Sequence, residues 1–273
     1  MPEMLQTEDE AADVAVQTLA SEWQSSGLEP GDMVLVHSSL PRSLRRLKKM
    51  GVRPDPALIL RSLRLAIGEE GTLLLPTFNF DFTKGQPFDV YSTPSQMGTL
   101  TEIGRAERGS RRSGHPIYSF AAIGRDSHKL DRLLNFSGYG SDSPFGILHR
   151  SGGKIAIIDL PDQNSMTFYH YVEESREVSY RYHKEFSGYF TDWDGATSFR
   201  TFGLFVRDLA AHILTDVDPM GELLWKQGLY RGARPNSSNG MRVIQARSLF
   251  DSVADVIDSG RAEGLLFRYG TDE

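Results

Sequence analysis

Apolar positions near the start of the chain follow two different spacings in turn. Val16, Leu19, Ala20 and Trp23 recur at the three- and four-residue spacing of one helical face. Residues 33–36 then form an unbroken apolar run, which is typical of a strand buried on both sides. This order of helix and buried strand predicts an α/β fold in which helices flank a central sheet.

The same alternation continues to the end of the chain. Asp55 and Ser143 each precede a proline, as helix-capping residues do, so we expect helices to begin after them. Residues 42–53 are rich in arginine and lysine, and we predict a solvated loop there. Further strands are predicted at residues 72–75, 118–123, 154–159 and 242–245, and further helices at residues 208–214 and 219–227.

The pattern changes to short strands in the second half of the chain. Residues 178–182 and 186–190 have strand-like composition, and residues 191–195 are typical of a turn. Residues 197–206 predict one more strand. We therefore expect a smaller β-rich insertion at about residues 178–206, which would border a substrate pocket.

Composition restricts the function further. Hydrophobic residues make up 39% of the 273 residues, which is sufficient for an extensive core. The net charge is −6 with no long run of one sign, so we do not expect nucleic acid as a partner. Cysteine is absent, which excludes disulfides and a thiolate nucleophile. No apolar stretch approaches the roughly 18 residues of a membrane span, and we expect a cytoplasmic protein without a membrane partner.

Several familiar catalytic motifs are missing from the sequence. It has no GxxxxGKS/T or GxGxxG phosphate-binding loop, no GxSxG nucleophile elbow and no HExxH zinc motif. The seven histidines are dispersed along the chain. We therefore predict no bound metal, and a metal-dependent hydrolase that uses His170 stays as an alternative.

The strongest candidate chemistry lies in residues 157–174, where an apolar strand leads through a polar loop into a short helix. Helical spacing places Thr167, His170 and Glu174 on one face, with Glu173 beside them. A histidine oriented by a carboxylate can act as a general base near neutral pH. The same residue types also form ordinary pairs on exposed helices, so the spacing leaves both interpretations open.

Hydroxyl groups follow two of the predicted strands. Ser38 and Ser39 come after the first strand and Thr77 after the second, where α/β proteins bind ligands. Turn or capping chemistry is the alternative for the two serines. Ser143 begins a helix whose free N–H groups can bind an anion or a carbonyl oxygen. Glu102 is either a second orienting carboxylate or only part of a helix cap.

Between residues 31 and 174 the chain carries a series of short motifs in a defined order. They are Val36-His37-Ser38-Ser39-Leu40, Gly71-Thr72-Leu73 with Pro76-Thr77-Phe78, Met97-Gly98 with Glu102 and Arg105, Arg112-Ser113, His115-Pro116 with Ser119 to Gly124, Ser143-Pro144-Phe145-Gly146, and Thr167 with His170 and Glu173. In these motifs and their order the chain resembles the aminoglycoside 3-N-acetyltransferase family.

The resemblance implies the fold and the reaction. It implies one acetyltransferase domain over residues 1–273, with the family's α/β fold of a central mixed sheet flanked by helices. Acetyl-CoA is the implied co-substrate, and its acetyl group passes directly to an amine without a covalent enzyme intermediate. His170 matches the family's catalytic histidine, which deprotonates the acceptor. Glu102 and Glu173 are the carboxylates that would orient it, and we prefer Glu102.

The remaining implied site residues bind acetyl-CoA. Thr77 and Thr167 match positions near the thioester. Ser38, Ser39, Ser143 and Phe145 match the stretches that hold the pantetheine arm. Arg112 and Ser119 are the other residues expected to bind the cofactor.

The resemblance weakens after residue 174, where the acceptor should bind. Aminoglycosides are polycations, so their pockets favour carboxylates, whereas charges of both signs alternate between residues 176 and 200. We expect an aminoglycoside or a related amino sugar as the small-molecule amine acceptor. A biosynthetic enzyme for a nucleotide-linked or polysaccharide amino sugar is the alternative, and these charges can equally form exposed strand faces. A non-catalytic binding protein and a homodimer also remain open.

Overall fold

The strands of the computed structural model, in which residues 2–235, 237 and 240–270 are described, form three sheets. They are β1 (Met33–Ser38), β2 (Thr72–Pro76), β3 (Phe88–Asp89), β4 (Arg111–Arg112), β5 (Phe120–Gly124), β6 (Lys154–Ile158), β7 (Arg181–Thr191), β8 (Thr197–Arg207), β9 (Ile213–Thr215), β10 (Arg231–Gly232), β11 (Met241–Gln245) and β12 (Phe267–Tyr269). The central sheet has the order β10-β11-β6-β1-β2-β5-β4, the second sheet has the order β3-β7-β8, and β12 pairs with β9.

The middle of the central sheet is parallel and buried. β1 pairs in parallel with β2 and with β6, and every residue of β2 and β6 is buried. The antiparallel strands β11 and β5 flank this parallel centre. Because β1, β2 and β6 run in one direction, their carboxyl ends meet at one edge of the sheet. Ser38, Ser39 and Thr77 therefore lie along the same edge as the loop after β6.

Helices cover both faces of this sheet. They are α1 (Pro2–Ser25), α2 (Pro41–Lys49), α3 (Pro56–Ile67), α4 (Thr99–Ala106), α5 (Pro144–Arg150), α6 (Phe168–Ser175), α7 (Asp218–Lys226) and α8 (Ala246–Asp258). Side chains alternate along β1, so Val34 packs in the core with α1 and α3, whereas Leu35 packs in the core with α5, α6 and α8. The predicted α/β fold with a central mixed sheet flanked by helices is confirmed. Among the described residues, no helix combines the length and the hydropathy needed to cross a membrane.

A long hairpin dominates the second sheet. β7 and β8 pair antiparallel without interruption, from Arg181 opposite Arg207 to Thr191 opposite Thr197. The two short strands predicted at the beginning of this region are therefore wrong, because the continuous pairing with β8 extends β7 to 11 residues. β3 joins this sheet in parallel with the end of β7.

The basic segment at residues 42–53, which we expected as a loop, instead contains helix α2. Pro41 occupies its first turn, where the missing N–H costs nothing. Leu47 is fully buried. Lysine and arginine side chains occupy the last turn, where their positive charges interact favourably with the negative end of the helix dipole. The charge of the segment therefore reflects one exposed helical face and not a loop.

The helix expected at residues 208–214 is also wrong. The carboxylate of Asp208 accepts hydrogen bonds from the N–H groups of Ala210 and Ala211 at 2.9 and 3.2 Å, which closes a turn. The short strand β9 follows and pairs with β12. A local side-chain contact of aspartate with the backbone competes with the helix here.

Candidate active site

Helix α6 brings a histidine and a glutamate into contact one turn apart. The chain enters the helix through Thr167, whose carbonyl oxygen accepts a hydrogen bond from the N–H of His170 at 3.0 Å. The three-residue spacing then puts Glu173 beside His170. Nδ1 of the imidazole donates to Oε2 of this carboxylate at 2.7 Å, which fixes the orientation of the ring.

Glu173 is also paired with an arginine of the hairpin. Nε of Arg181, at the start of β7, lies 2.7 Å from the same Oε2, and the two side chains are only 5% and 1% exposed. Burial by itself would raise the pKa of Glu173, but Arg181 and the hydrogen bond from His170 lower it below its ordinary value. The carboxylate is therefore held ionised beside the imidazole.

His170 borders a surface cavity of about 310 Å³. Its side chain is 18% exposed, and its ring meets the ring of Tyr139 edge-on, with centroids 5.3 Å apart. Burial and the charges of Arg181 and Arg207 lower the pKa of His170 below 6.5, although Glu173 raises it. The imidazole is therefore neutral at pH 7. The cavity wall consists of Tyr118, Tyr139, His170, Arg181, Tyr182, Lys184, Phe186, Leu204, Phe205, Val206, Arg207, Leu209 and Thr215.

Glu102, the carboxylate preferred from the sequence, has other partners. It belongs to α4, where it accepts hydrogen bonds from the N–H of Ser95 at 2.5 Å and from the guanidinium of Arg105 at 2.9 Å. The preference for Glu102 is therefore wrong for the contact that orients His170, because Glu173 makes that contact. A residue one turn away on the same helix reaches its neighbour through local geometry alone.

Three other predicted residues come together at the end of β2. Oγ1 of Thr77 and Oγ of Ser119 lie 2.9 Å apart, and both side chains are fully buried. Arg112 donates from Nε to Oγ of Ser119 and from Nη2 to the carbonyl oxygen of Thr77, each at 3.2 Å. Burial lowers the pKa of Arg112 to about 9. In this structure the cluster is enclosed by protein and supports the strand ends around the site.

A series of aromatic rings connects the end of β2 to His170. The ring of Phe78, next to Thr77, lies 4.5 Å from the ring of Tyr118, which lies 4.8 Å from the ring of Tyr139. Tyr139 in turn contacts His170. No local pattern in the sequence marks Tyr118 or Tyr139 as a site residue, because only tertiary packing brings them to the imidazole.

The residues predicted to bind the cofactor differ in exposure. Oγ of Ser143 accepts a hydrogen bond from a backbone N–H in the first turn of α5 at 3.5 Å, as the predicted helix cap should. Ser143 and Phe145 are fully buried. Ser38 and Ser39 are half-buried at the carboxyl end of β1. Of these four, the two serines after β1 are the ones with surface to offer a ligand.

The fold resembles that of a solved acetyltransferase. The structure described as AAC-IIIb binary with CoASH superposes on this chain with a TM-score of 0.74. The superposition covers 94% of this chain and 98% of that chain. The two sequences are 21% identical, so this likeness concerns the fold alone.

Two curated relatives match part of the sequence. Aminoglycoside N(3)-acetyltransferase IV from Salmonella sp. is 28% identical over 157 residues, which are 56% of this chain and 56% of the relative. The SPbeta prophage-derived aminoglycoside N(3')-acetyltransferase-like protein YokD from Bacillus subtilis (strain 168) is 28% identical in a match of 182 residues, and the match covers 58% of this chain and 64% of the relative. The chain therefore spans less than two thirds of the length of each of these relatives.

The sequence profile of one family extends over most of the chain, from residue 35 to residue 258. The matched region contains helix α6 with His170 and Glu173, and also the complete β7–β8 hairpin. It thus reaches well beyond residue 174, where the motif resemblance weakened. On this match, the chain belongs to the aminoglycoside 3-N-acetyltransferase family.

Proposed function

We propose that this protein is an acetyl-CoA-dependent N-acetyltransferase that moves an acetyl group directly to an amine of an aminoglycoside or a related amino sugar. The amine nitrogen forms a bond with the acetyl carbon, the carbon–sulfur bond breaks, and CoA leaves as the thiolate. The proton of the amine passes to His170, and the imidazolium then gives it to the thiolate, so that CoA is released as the thiol. Membership of the family supports the type of reaction, and the geometry of α6 supports the identity of the base.

The hydrogen bond between Nδ1 of His170 and Glu173 is the observation that carries the proposal. Since Nδ1 is engaged by the carboxylate, Nε2 is the nitrogen that can accept a proton, and the residue lines the cavity. Glu173 stabilises the imidazolium that forms, and Arg181 holds the carboxylate in place. Base, orienting carboxylate and positioning arginine thus form one connected unit.

The electrostatics of this unit suit a base that works near pH 7. A protonated amine has no free lone pair and is not a nucleophile, so the acceptor has to lose a proton before its nitrogen attacks. Burial lowers the pKa of His170, which keeps the imidazole neutral and able to take that proton. The ionised Glu173 offsets part of the cost of forming the cation in a buried position.

Acetyl-CoA supplies the activated acetyl group. We assign its pantetheine arm to Ser38 and Ser39, because their half-buried position at the end of β1 leaves hydroxyls able to bond its amides. Thr167, which is half-buried, retains its proposed position near the thioester, whereas Thr77 is fully buried against Ser119 and supports the site from within the protein. The buried members of the predicted set support the walls of this site, and they are Arg112, Ser119, Ser143 and Phe145.

The proposal is tested by following thiol release from acetyl-CoA in the presence of aminoglycosides and other amino sugars. The variant His170→Ala should lose about 10²- to 10⁴-fold in turnover, the contribution of a positioned base, and should still bind CoA in a calorimetric titration. The matched control is His128→Ala, which removes an exposed histidine that does not line the cavity. Near-normal turnover by His170→Ala would contradict the assignment of the base.

Two further predictions belong to this proposal. We propose that the protein works in the cytoplasm and that it forms a homodimer. Cell fractionation measures the first, and light scattering coupled to size-exclusion chromatography measures the second. A particle with the mass of one 30.5 kDa chain would contradict the dimer.

A further inference from the structure

We propose that the acceptor carries an anionic group, a phosphate above all, which binds Lys184 and Arg207 on the cavity wall while its amine faces His170. The substrate class is therefore an amine-bearing sugar phosphate or a nucleotide-linked amino sugar, and not a polycation. This inference rests on the proposed acetyl transfer and specifies its acceptor.

The charges of the cavity wall have one sign. Arg181, Lys184 and Arg207 belong to it, and none of its thirteen residues is an aspartate or a glutamate. Since like charges on a concave surface add up, such a wall attracts anions and repels cations. A pocket for a polycationic aminoglycoside would require the opposite charge.

Two of these cations have no carboxylate counter-ion among the residues that the structure describes. Arg181 is neutralised by Glu173. Lys184 and Arg207 are both exposed, and neither forms a salt bridge with a carboxylate in the part of the chain that the structure describes. Nζ of Lys184 instead lies 5.4 Å from the centre of the Phe186 ring. Both charges are therefore available to a ligand.

The register of the hairpin forces two arginines together. Arg181 and Arg207 are directly opposite each other in the antiparallel pair. Like charges in this position destabilise a sheet, and Glu173 compensates only the arginine that it contacts. An anion bound at Arg207 would relieve the remaining repulsion.

The position of these cations relative to the base is suitable for an acceptor. Arg207 is close enough to contribute to the electrostatic environment of His170, and both residues line the same cavity. The rings of Tyr182 and Phe186 border it as well and offer apolar surface to a sugar or a base. An acceptor can thus present its amine to His170 and its anionic group to Arg207.

Carboxylates close in sequence do not reverse this charge. Glu185 follows Lys184 on β7, but it is not part of the cavity wall, whereas Lys184 is. Glu174 accepts a hydrogen bond from Oγ of Ser137 at 2.6 Å, and burial raises its pKa. It also lies outside the cavity wall.

The experiment compares matched acceptors. Initial rates of thiol release are measured with glucosamine, glucosamine 6-phosphate, a UDP-linked amino sugar and the aminoglycoside gentamicin, at about pH 8 so that imidazole stays neutral. We expect kcat/KM for glucosamine 6-phosphate or the nucleotide-linked sugar to exceed that for glucosamine by about tenfold or more, the effect of one well-placed charge pair. Preference for gentamicin or glucosamine over both anionic acceptors would overturn the inference and leave the acetyltransferase proposal standing. Failure with every amine would overturn both.

CoA also carries phosphates, so a second experiment with substituted variants distinguishes whether Lys184 and Arg207 bind the anionic group of the acceptor or the phosphates of CoA. The double variant Lys184→Glu with Arg207→Glu should lower the ratio of kcat/KM for glucosamine 6-phosphate to kcat/KM for glucosamine about tenfold or more, with KM for acetyl-CoA unchanged. The ratio is the readout because any effect of Arg207 on the base acts on both acceptors alike. The matched control is Lys226→Glu, an exposed lysine at the end of α7 outside the cavity wall. If KM for acetyl-CoA rises and the preference among acceptors stays the same, the cations hold the phosphates of CoA and the inference is wrong.

Discussion

Asp162 and Arg242 form a buried ion pair between the loop after β6 and strand β11. Nη2 of Arg242 lies 2.5 Å from Oδ1 of Asp162, and the side chains are 2% and 0% exposed. Oδ2 of Asp162 accepts hydrogen bonds from the hydroxyls of Tyr169 and Tyr230 at 2.7 and 2.8 Å. Because Tyr169 is adjacent to His170, this network anchors the start of α6 and with it the position of the base.

Asp162→Ala should strongly destabilise the protein. The substitution leaves the guanidinium of Arg242 buried without a counter-ion, which costs about 3–5 kcal/mol in comparable cases. The free energy of unfolding from urea titration measures the loss. Asp255→Ala is the matched control, since it breaks an exposed pair with Arg261 and should change stability far less. Equal losses in the two variants would contradict the role of the buried pair.

Glu173→Gln and Glu102→Gln should separate the two candidate orienting carboxylates. An amide at position 173 cannot stabilise the imidazolium and leaves Arg181 without its counter-ion, so kcat should fall about 10- to 100-fold, a part of what a positioned base contributes. Glu102→Gln changes a contact with Arg105 on α4 and should leave kcat within a few-fold. Steady-state kinetics on variants with verified thermal unfolding midpoints measures both. A larger loss of kcat in the Glu102 variant would restore the preference from the sequence.

On the acid side of the pH profile, kcat/KM should fall at a pH below 6.5, the ordinary pKa of histidine. This fall is called the acid limb. Burial and the charges of Arg181 and Arg207 lower the pKa of His170, and Glu173 opposes them only in part. The neutral base is present above its pKa, so activity should persist below pH 6.5 and decline as pH falls through the lowered value. The pH dependence of kcat/KM measures this limb. A limb above pH 6.5 would contradict the buried, cation-flanked environment.

Arg207→Gln should move this acid limb to higher pH. The substitution removes a positive charge that lowers the pKa of His170, so the pKa rises. An unchanged limb would show that Arg207 does not act on the imidazole. Lys226→Gln is the control, because its charge lies outside the cavity wall, and the limb should keep its wild-type position.

Gly146→Ala should destabilise α5 although alanine is the better helix former. A Cβ at this position would lie 2.0 Å from the carbonyl oxygen of Ser141, a backbone atom that cannot move aside. The overlap should cost about 1–3 kcal/mol, more than the roughly 1 kcal/mol that helix propensity favours. Gly104→Ala in α4 is the comparison, because its Cβ would meet the end of the Leu75 side chain, which can rotate. Chemical denaturation of both variants should give the larger loss for Gly146→Ala.

The regular elements were largely predictable because their signals are local. Unbroken apolar runs indicated β1, β2 and β6, and the prolines after Asp55 and Ser143 indicated the start of two helices. The wrong expectations lie where tertiary contacts override local patterns. Pairing with β8 joined two predicted short strands into β7, and the side chain of Asp208 closed a turn in a predicted helix.

The sequence by itself determined the α/β class and the family resemblance, and it predicted that Glu173 lies beside His170 on one helix, since three-residue spacing brings such side chains together. Only the tertiary structure decided between Glu102 and Glu173 and placed Arg181 on the same carboxylate. It also decided the charge of the cavity. Arg181 and Lys184 belong to β7 and Arg207 to β8, and only the packing of this hairpin against the rest of the fold brings all three to one cavity with His170, because their positions are distant from residue 170 along the chain.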